Sequence, residues 1–364
     1  MPALPSIVDD TERYERWLAT AVPVQADGLA LKHERMSESP FALLRASYYR
    51  WLTLWRAHAG PAREAMVVRS VGDLHIENFG TWRDGEGRLV WGINDFDEAS
   101  PQPWTSDLVR LATSAMLAME HGDIAISPKA ACEAIWEGYR EAIDARGRPF
   151  VLAEVNRRLR AMATERLKDP QRFWDGLTEA PEPEERVPRS ARRTLERALP
   201  PGATAYAIRT RVSGLGSLGR ARYVVLADWG GAHVAREVKS LAPPAHCLVE
   251  GIAPRTWLAG TVRRAVRVAD PCFAVDGRWI VRRLAPDCSR IELRLLPGER
   301  DEAKLLHAMG WEAANVHLGS ASRRQLRRDT SARAPRWLVK ASRVMHDAVH
   351  EDFAAWEAHR RAAG

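Results

Sequence analysis

The chain has 364 residues, of which 46% are hydrophobic and 28% are charged, a balance typical of a globular protein with one large domain or two ordinary ones. Its formal net charge of +7 favours anionic partners such as nucleotides, nucleic acid or an anionic membrane surface, although a solvated arginine-rich surface explains the charge equally well. No stretch reaches the roughly 18 uninterrupted apolar residues of a membrane-spanning helix, so we expect no membrane span.

The four cysteines are widely separated and none forms a C-x-x-C pair, which argues against a zinc site and against a thioredoxin-like site. The N-terminal residues lack a basic segment followed by an apolar stretch, so the pattern predicts no export signal. We therefore expect a cytoplasmic protein with reduced thiols.

The first part of the chain predicts helices followed by a strand. The segment DDTERYERWLATAV begins with aspartates that can cap a helix and repeats apolar residues at helical spacing. In SPFALLRASYYRWLTLWRAHAG, Ser39 can cap and Pro40 suits the first helical position, so we predict one helix that stops at Gly60. The run AMVVRSV that follows is typical of a buried strand.

The next stretch, VGDLHIENFG, places several proton-handling and metal-binding side chains in one short loop. Asp73 and Asn78 have the D-x-x-x-x-N spacing of the protein-kinase catalytic loop. In such a loop the carboxylate faces an incoming hydroxyl, and the amide oxygen reaches Mg²⁺ without adding another charge. We interpret Asp73 as the catalytic residue and Asn78 as a metal ligand, with His75 bracing the loop.

A second acidic motif follows a predicted hairpin. Strand-like runs flank the turn sequence DGEG, and the second run ends in INDFDEA. The hairpin would bring Asp95 to the same end of the sheet as Asn78, where Asp95 would bind Mg²⁺, with Asp97 as the second choice. Aspartate and asparagine also cap ordinary turns, and for the first motif alone that interpretation is favoured. The two motifs together, joined by a hairpin, reverse this preference.

The pattern divides the chain into four regions and predicts an α+β fold. Residues 1–175 are a helical catalytic lobe that contains the metal-binding hairpin. The charged, proline-rich residues 176–203 are a linker. Residues 204–300 contain strand-like runs and are a β-rich nucleotide-binding lobe. Residues 301–364 are helices that pack back on the catalytic lobe.

The β-rich region contains a candidate phosphate-binding loop. In RVSGLGSLGRARYVVL, the residues Gly214, Gly216, Ser217 and Gly219 lie between two strand-like runs. Glycines let backbone N–H groups approach phosphates closely, although an ordinary hairpin turn explains these glycines as well. Lys239, on a later strand, would hold the phosphates of a nucleotide as a compact point charge.

The ion-pair partner of Lys239 has two candidates. Glu250 lies in the next predicted helix, and Glu237 shares a strand face with Lys239. Kinases place the glycine-rich hairpin and the lysine before the catalytic loop, but only 72 residues precede Asp73 and they predict helices. We therefore expect a circularly permuted kinase fold, with the catalytic lobe first.

The motifs GDLHIENFG and INDFDEA resemble the G-D-x-H-x-x-N and I-D-F patterns of aminoglycoside phosphotransferases and the wider protein-kinase-like superfamily. Over most of the chain, the segments KHERMSESPFALLRASYYRW, NDFDEASPQPWTSDLVRLATS and GLGSLGRARYVVL are similar to an uncharacterised bacterial family, domain of unknown function 2252. The superfamily resemblance implies a two-lobed kinase-like fold with Asp73 as the catalytic aspartate and Asn78 and Asp95 as metal ligands. It also implies that Asp107 steadies the catalytic loop. The sequence departs from the phosphotransferases at Val71, where they have a histidine.

These observations predict an ATP- and Mg²⁺-dependent phosphotransferase that acts on a hydroxyl of an unknown small molecule or protein. One alternative is transfer of AMP on the same fold. The other is a non-catalytic protein that binds nucleotide or nucleic acid. The basic run ASRRQLRRD lacks interleaved aromatic residues, so nucleic-acid binding is possible but not favoured.

Overall fold

A computed structural model describes residues 4–152, 159–160, 169–183, 186–288 and 302–363 of the chain. The helices are α1 (Ile7–Ala21), α2 (Ala26–Met36), α3 (Pro40–Ala46), α4 (Tyr48–His58), α5 (Trp104–Glu120), α6 (Pro128–Asp144), α7 (Pro170–Thr178), α8 (Arg189–Ala198), α9 (Ala245–Glu250), α10 (Leu258–Arg264), α11 (Glu302–His317), α12 (Arg323–Ser331) and α13 (Trp337–Ala363). The strands are β1 (Val67–Ser70), β2 (Phe79–Arg83), β3 (Leu89–Ile93), β4 (Ser100–Pro103), β5 (Phe150–Val151), β6 (Thr204–Thr210), β7 (Arg222–Trp229), β8 (Ala232–Ser240), β9 (Ala274–Asp276) and β10 (Trp279–Leu284). The predicted mixed α+β class with antiparallel sheets is confirmed.

Helix α3 begins where the sequence predicts, but α1 begins at Ile7, before the aspartates that were predicted to cap it. Ser6 and Asp9 form a capping box at the start of α1, and the Ser39 hydroxyl accepts the Ala42 N–H at the start of α3. The single helix predicted after Ser39 is wrong, because it divides into α3 and α4 at Ser47. The Ser47 hydroxyl donates to the Leu43 carbonyl at 2.6 Å, a local hydrogen bond that competes with regular helical geometry.

Two small antiparallel sheets bring the acidic motifs together. β2 and β3 form the hairpin predicted around the DGEG turn, and β1 pairs with β4. Ser70 lies opposite Ser100 at the end of the second pair, and Phe79 lies opposite Ile93 in the hairpin. The loop that joins β1 to β2 therefore runs beside the loop that joins β3 to β4.

The β-rich region folds into one antiparallel sheet with the strand order β6-β7-β8-β10-β9. The glycine-rich segment joins β6 to β7, and Lys239 lies on β8. Alternate residues of β7 face opposite sides of the sheet, so Tyr223 and Val225 pack on the α8 side. Val224 and Leu226 pack with Leu177 of α7. Part of the segment predicted as a linker is thus helix α8, which covers one face of the sheet.

The C-terminal helices pack into the same core as the early helices. A β-carbon on Gly138 of α6 would overlap the His307 carbonyl of α11, and one on Gly310 would overlap the Ile135 carbonyl. The absence of these β-carbons lets the two backbones approach closely. The largest apolar cluster contains residues from both ends of the chain, among them Leu18, Trp51, Leu108, Ile135, Met309 and Met345. Within the described ranges, no helix combines the length and apolar composition needed to cross a lipid bilayer.

Candidate active site

The two motif loops are joined through the side chain of Asn78. Its amide nitrogen donates to the carbonyls of Asp73 and Asp95, each at 3.0 Å. Its amide oxygen accepts the Asp95 N–H at 2.8 Å. Asn78 is buried, so these hydrogen bonds fix the separation of the two aspartates.

Asp107 supports the Asp73 loop from α5. Its carboxylate accepts the N–H groups of Val71 at 2.7 Å and Gly72 at 3.0 Å, and it also contacts His317 at 2.9 Å. Gly72 has a φ of +87°, and a β-carbon there would overlap the Glu98 backbone. The contacts agree with the steadying role that the resemblance implies for Asp107, and they give Val71 a backbone hydrogen bond where the phosphotransferases have a histidine.

A buried arginine holds one oxygen of Asp73. The Arg110 side chain is fully buried, and its Nε donates to Asp73 Oδ1 at 2.9 Å. Arg110 Nη2 donates to the same oxygen and to the Leu44 carbonyl. Burial raises the pKa of Asp73 above its ordinary value, and the Arg110 charge opposes this effect. Asp73 Oδ2 is the oxygen nearer the glycine-rich segment, since a β-carbon on Gly216 would lie 3.6 Å from it.

The acidic residues of the second motif meet cations from the five-stranded sheet. Lys239 Nζ lies 2.6 Å from Asp97 Oδ2 and 3.4 Å from Asp95 Oδ2. Arg220 Nη2 lies 2.6 Å from Asp97 Oδ2, and Arg282 Nη2 lies 3.6 Å from Asp95 Oδ1. The lysine and the aspartates therefore share one cluster, although they are far apart in the sequence.

Burial shapes the electrostatics of this cluster. Lys239 is 2% exposed, and burial lowers its pKa to about 8, although Asp95 and Asp97 favour its charged form. Asp97 Oδ1 is buried and has no hydrogen-bond partner among the described residues. A buried carboxylate oxygen without a donor is a position that a cation can satisfy.

The glycine-rich segment lies directly over the Asp73 loop. Gly214 and Gly219 have φ values of +77° and +85°, which side chains with a β-carbon rarely adopt. Ser217 donates to the Gly214 carbonyl at 3.0 Å and accepts from Arg222 at 2.9 Å. A β-carbon on Gly216 would lie 3.0 Å from the Arg45 carbonyl. The glycine-rich segment thus covers the side of the site that contains Asp73 Oδ2.

The enclosed cavity is small, about 40 Å³, and mostly polar. Tyr14, Tyr48 and Tyr49 line one part of it. Arg45 also lines the cavity, and it pairs with Glu77 at 2.7 Å. A volume of this size holds a few water molecules and is smaller than a nucleotide.

Two predicted partners of Lys239 have other roles. Glu250 pairs with Arg56 at 2.6 Å, and both side chains are more than one-third exposed. Glu237 is buried between Arg222 at 2.8 Å and Arg211 at 2.7 Å, and these charges hold its pKa well below the ordinary value. The prediction that Glu250 or Glu237 pairs with Lys239 is therefore wrong, because Asp95 and Asp97 occupy that position.

His75 has the bracing role predicted from the sequence. Its Nδ1 accepts the Glu77 N–H at 3.2 Å, which tightens the loop between Asp73 and Asn78. The ring is buried and lies at the cavity wall.

Sequence reasoning missed three residues of the site, namely Glu98, Arg110 and Arg220. It also missed Lys32, which packs against tyrosines that line the cavity. Arg110 follows Asp107 by three residues in an apolar helix, so a shared helix face was a usable signal. Glu98 accepts the Ala245 N–H at 2.7 Å, and burial raises its pKa to about 7. Lys32 Nζ lies 5.2 Å and 5.0 Å from the ring centres of Tyr14 and Tyr49. The contacts of Glu98 and Lys32 join residues that are far apart in the sequence, so no local pattern predicts them.

Comparison with known proteins gives a family match over part of the chain. The model of a family described as an uncharacterized protein conserved in bacteria, DUF2252, matches residues 25–172. No curated protein and no solved structure matches the chain. The matched range contains Asp73, Asn78, Asp95 and Asp97 and ends before the glycine-rich segment. Residues 25–172 are therefore similar to the uncharacterised bacterial family DUF2252, which confirms the predicted resemblance for that range.

Proposed function

We propose that the chain is an ATP- and Mg²⁺-dependent phosphotransferase that transfers the γ-phosphate to a hydroxyl group. The observation that carries the proposal is the contact of Lys239 with Asp95 and Asp97 beside the Asp73 loop. Buried ion pairs add little stability on average. Clusters of titratable groups with shifted pKa values in a cleft are typical of functional sites instead.

The nucleotide would lie between the glycine-rich segment and the acidic loops. Lys239 supplies a positive charge against Asp95 and Asp97, which line this space, and the glycines at 214, 216 and 219 let the backbone approach the phosphates. Arg220 and Arg282 contact Asp97 and Asp95 and add positive charge. This charge distribution favours a polyphosphate over a neutral ligand.

Asp73 would position the acceptor. Arg110 holds Oδ1, so Oδ2 is left to accept the hydrogen bond of an incoming hydroxyl. As the acceptor oxygen forms its bond to the γ-phosphorus, the bond to the bridging oxygen of ADP breaks and the hydroxyl proton passes to Asp73. Most of the rate enhancement would come from positioning and charge neutralisation.

The donor set fits a magnesium ion. Mg²⁺ prefers carboxylate and amide oxygens, and Asp97 contributes a buried oxygen without a hydrogen-bond donor among the described residues. Asp95 and Asp97 would hold the ion, with Asn78 beside them. Bound there, the ion would neutralise the charge of the β- and γ-phosphates.

We extend the proposal to a circularly permuted kinase-like fold. In favour of it, the glycine-rich segment joins adjacent antiparallel strands and Lys239 lies on the strand that follows them. Both features come after the Asp73 loop in the chain. The glycine-rich segment lies against that loop, and Lys239 contacts Asp95 and Asp97 of the neighbouring loop. An inverted order of two kinase-like lobes would produce this arrangement.

The first test measures binding of a non-hydrolysable ATP analogue with Mg²⁺ by calorimetry. Lys239→Met should weaken binding at least about tenfold, because the buried charge that faces the phosphates is lost. Lys129→Met is the matched control, since Lys129 is exposed and pairs with Glu133 in its own helix. Circular dichroism would verify that both variants are folded. Equal affinity of Lys239→Met and the unmodified chain would overturn the proposal.

The second test separates transfer chemistry from binding. Asp73→Asn retains an oxygen for Arg110 and should bind the analogue normally, while ADP release with a pool of hydroxyl-bearing metabolites should fall at least about 100-fold. Release of pyrophosphate with an AMP-modified product would instead identify the nucleotidyl-transfer alternative. Analogue binding without release of either product would identify a non-catalytic nucleotide-binding protein.

A further inference from the structure

A histidine–carboxylate cluster joins α5 to α13, separate from the residues of the candidate active site. His346 Nε2 lies 2.8 Å from Glu120 Oε1, and His350 Nε2 lies 2.9 Å from Glu120 Oε2. The histidines are four residues apart on α13, so they share one helix face. One ligand atom from each of the three side chains lies within 4.8 Å of the other two.

The second nitrogen of His346 has its own carboxylate. His346 Nδ1 lies 3.1 Å from Asp347 Oδ1. With hydrogen on Nδ1 donated to Asp347, the Nε2 lone pair points at the Glu120 carboxylate. Two electron-pair donors then face each other, and a cation between them satisfies both. Metal-binding histidines commonly donate their other N–H to a carboxylate in this way.

We propose that Glu120, His346 and His350 bind a divalent transition-metal ion of the zinc class. Two imidazoles and one carboxylate are typical zinc ligands, and water would complete a tetrahedral site. Bonds of about 2.0–2.1 Å place tetrahedral ligand atoms roughly 3.3 Å apart, so the histidine–Glu120 distances of 2.8 Å and 2.9 Å would each lengthen by about half an ångström around an ion. Magnesium prefers oxygen ligands alone, so this ion differs in class from the one proposed beside Asp95.

The ion would connect two elements of the catalytic core. α5 begins near Asp107 and Arg110 and ends at Glu120, and α13 packs into the core through Met345 and Val349. An ion bound only by the folded chain stabilises it in proportion to occupancy. Zinc should therefore raise the unfolding temperature of the full chain.

The experiment titrates zinc sulfate into the metal-free full chain by calorimetry and follows the unfolding temperature. One site is expected in the unmodified chain. His346→Ala and His350→Ala should each remove that site, and Asp347→Asn should weaken it roughly 10- to 100-fold. Cobalt(II) should give the visible spectrum of a tetrahedral site in the unmodified chain and not in the histidine variants.

His307→Ala is the matched control. His307 lies 3.0 Å from Glu141 and likewise joins two helices, but no second imidazole completes a described three-ligand group there. This variant should keep zinc binding unchanged. Glu120→Gln provides a variant that retains the side-chain shape and removes the ligand charge, and its affinity should also fall. The proposal would be overturned if the unmodified chain bound no zinc, or if the His346→Ala and His350→Ala variants bound zinc as tightly as the unmodified chain.

Discussion

Asp73, Asp95 and Asp97 of the candidate site each lie against a cation that another element supplies. Arg110 of α5 holds Asp73, and Lys239 of β8 holds Asp97. The mutual attraction of such a pair offsets the desolvation of both charges only while both partners are present. Loss of one cation therefore leaves an uncompensated carboxylate in the interior.

Arg110→Met should lower the free energy of unfolding by about 3–5 kcal/mol, because it leaves Asp73 without its buried partner. Arg16→Met should change it by less than about 0.5 kcal/mol, because Arg16 and Glu12 are both exposed. Urea denaturation of the two variants measures the difference. Similar small losses in both would contradict a structural role for Arg110.

Glu312 predicts a pH dependence of stability. It accepts a hydrogen bond from Asn315 at 2.7 Å, and burial raises its pKa from 4.5 to about 7 against the opposing charge of Arg267. Folding therefore favours the protonated form, whose stabilisation is complete below about pH 4.5 and is lost as pH rises through 7. Glu312→Gln stays neutral, so it should lose less stability than the unmodified chain between pH 5 and pH 8.

Chemical denaturation at several pH values measures this effect, which is worth at most about 3 kcal/mol. The exposed Glu12→Gln is the control and should follow the unmodified chain. If the free energy of unfolding changed with pH in the same way for Glu312→Gln and the unmodified chain, the raised pKa of Glu312 would be contradicted.

The glycine-rich segment owes its position to helices outside its own sheet. The Gly219 carbonyl accepts the Gln25 N–H at 2.8 Å, and Leu215 packs against the cluster that contains Leu43 and Trp356. These contacts hold the segment over Asp73. Any movement of the segment away from Asp73 would have to disturb them.

Gly28→Ala tests this contact. A β-carbon at Gly28 in α2 would lie 2.6 Å from the Gly219 backbone nitrogen, so alanine should destabilise the chain despite its higher helix propensity. Gly176→Ala is the matched control, because that position in α7 is open and alanine should stabilise it by about 0.5–1 kcal/mol. Thermal unfolding gives both values, and a stabilising Gly28→Ala would show that the helix and the segment are not in contact in solution.

At the scale of the whole molecule, the two ends of the chain complete one core. His317 of α11 contacts Asp107 at 2.9 Å, and Arg50 of α4 pairs with Asp352 of α13 at 2.6 Å. The C-terminal helices therefore support both the Asp73 loop and the N-terminal helices. Their removal would expose a large part of the main apolar cluster.

A chain that ends after residue 301 should lack cooperative unfolding and a native near-ultraviolet circular dichroism spectrum, because it loses the apolar surface of α11 and α13. A chain that ends after residue 358 is the control, since residues 359–362 are exposed. Native-like unfolding of the shorter chain would contradict a shared core.

The sequence alone determined features that depend on local chemistry. The cap at Ser39, the hairpin at the DGEG turn and the spacing of Asp73 and Asn78 follow from neighbouring residues, whose propensities and hydrogen bonds act over a few positions. Tertiary structure decided the partners of Lys239, the burial of Arg110 beside Asp73 and the packing of α8 on the sheet. These contacts join residues tens to hundreds of positions apart, and their choice depends on which buried charges the complete core brings together.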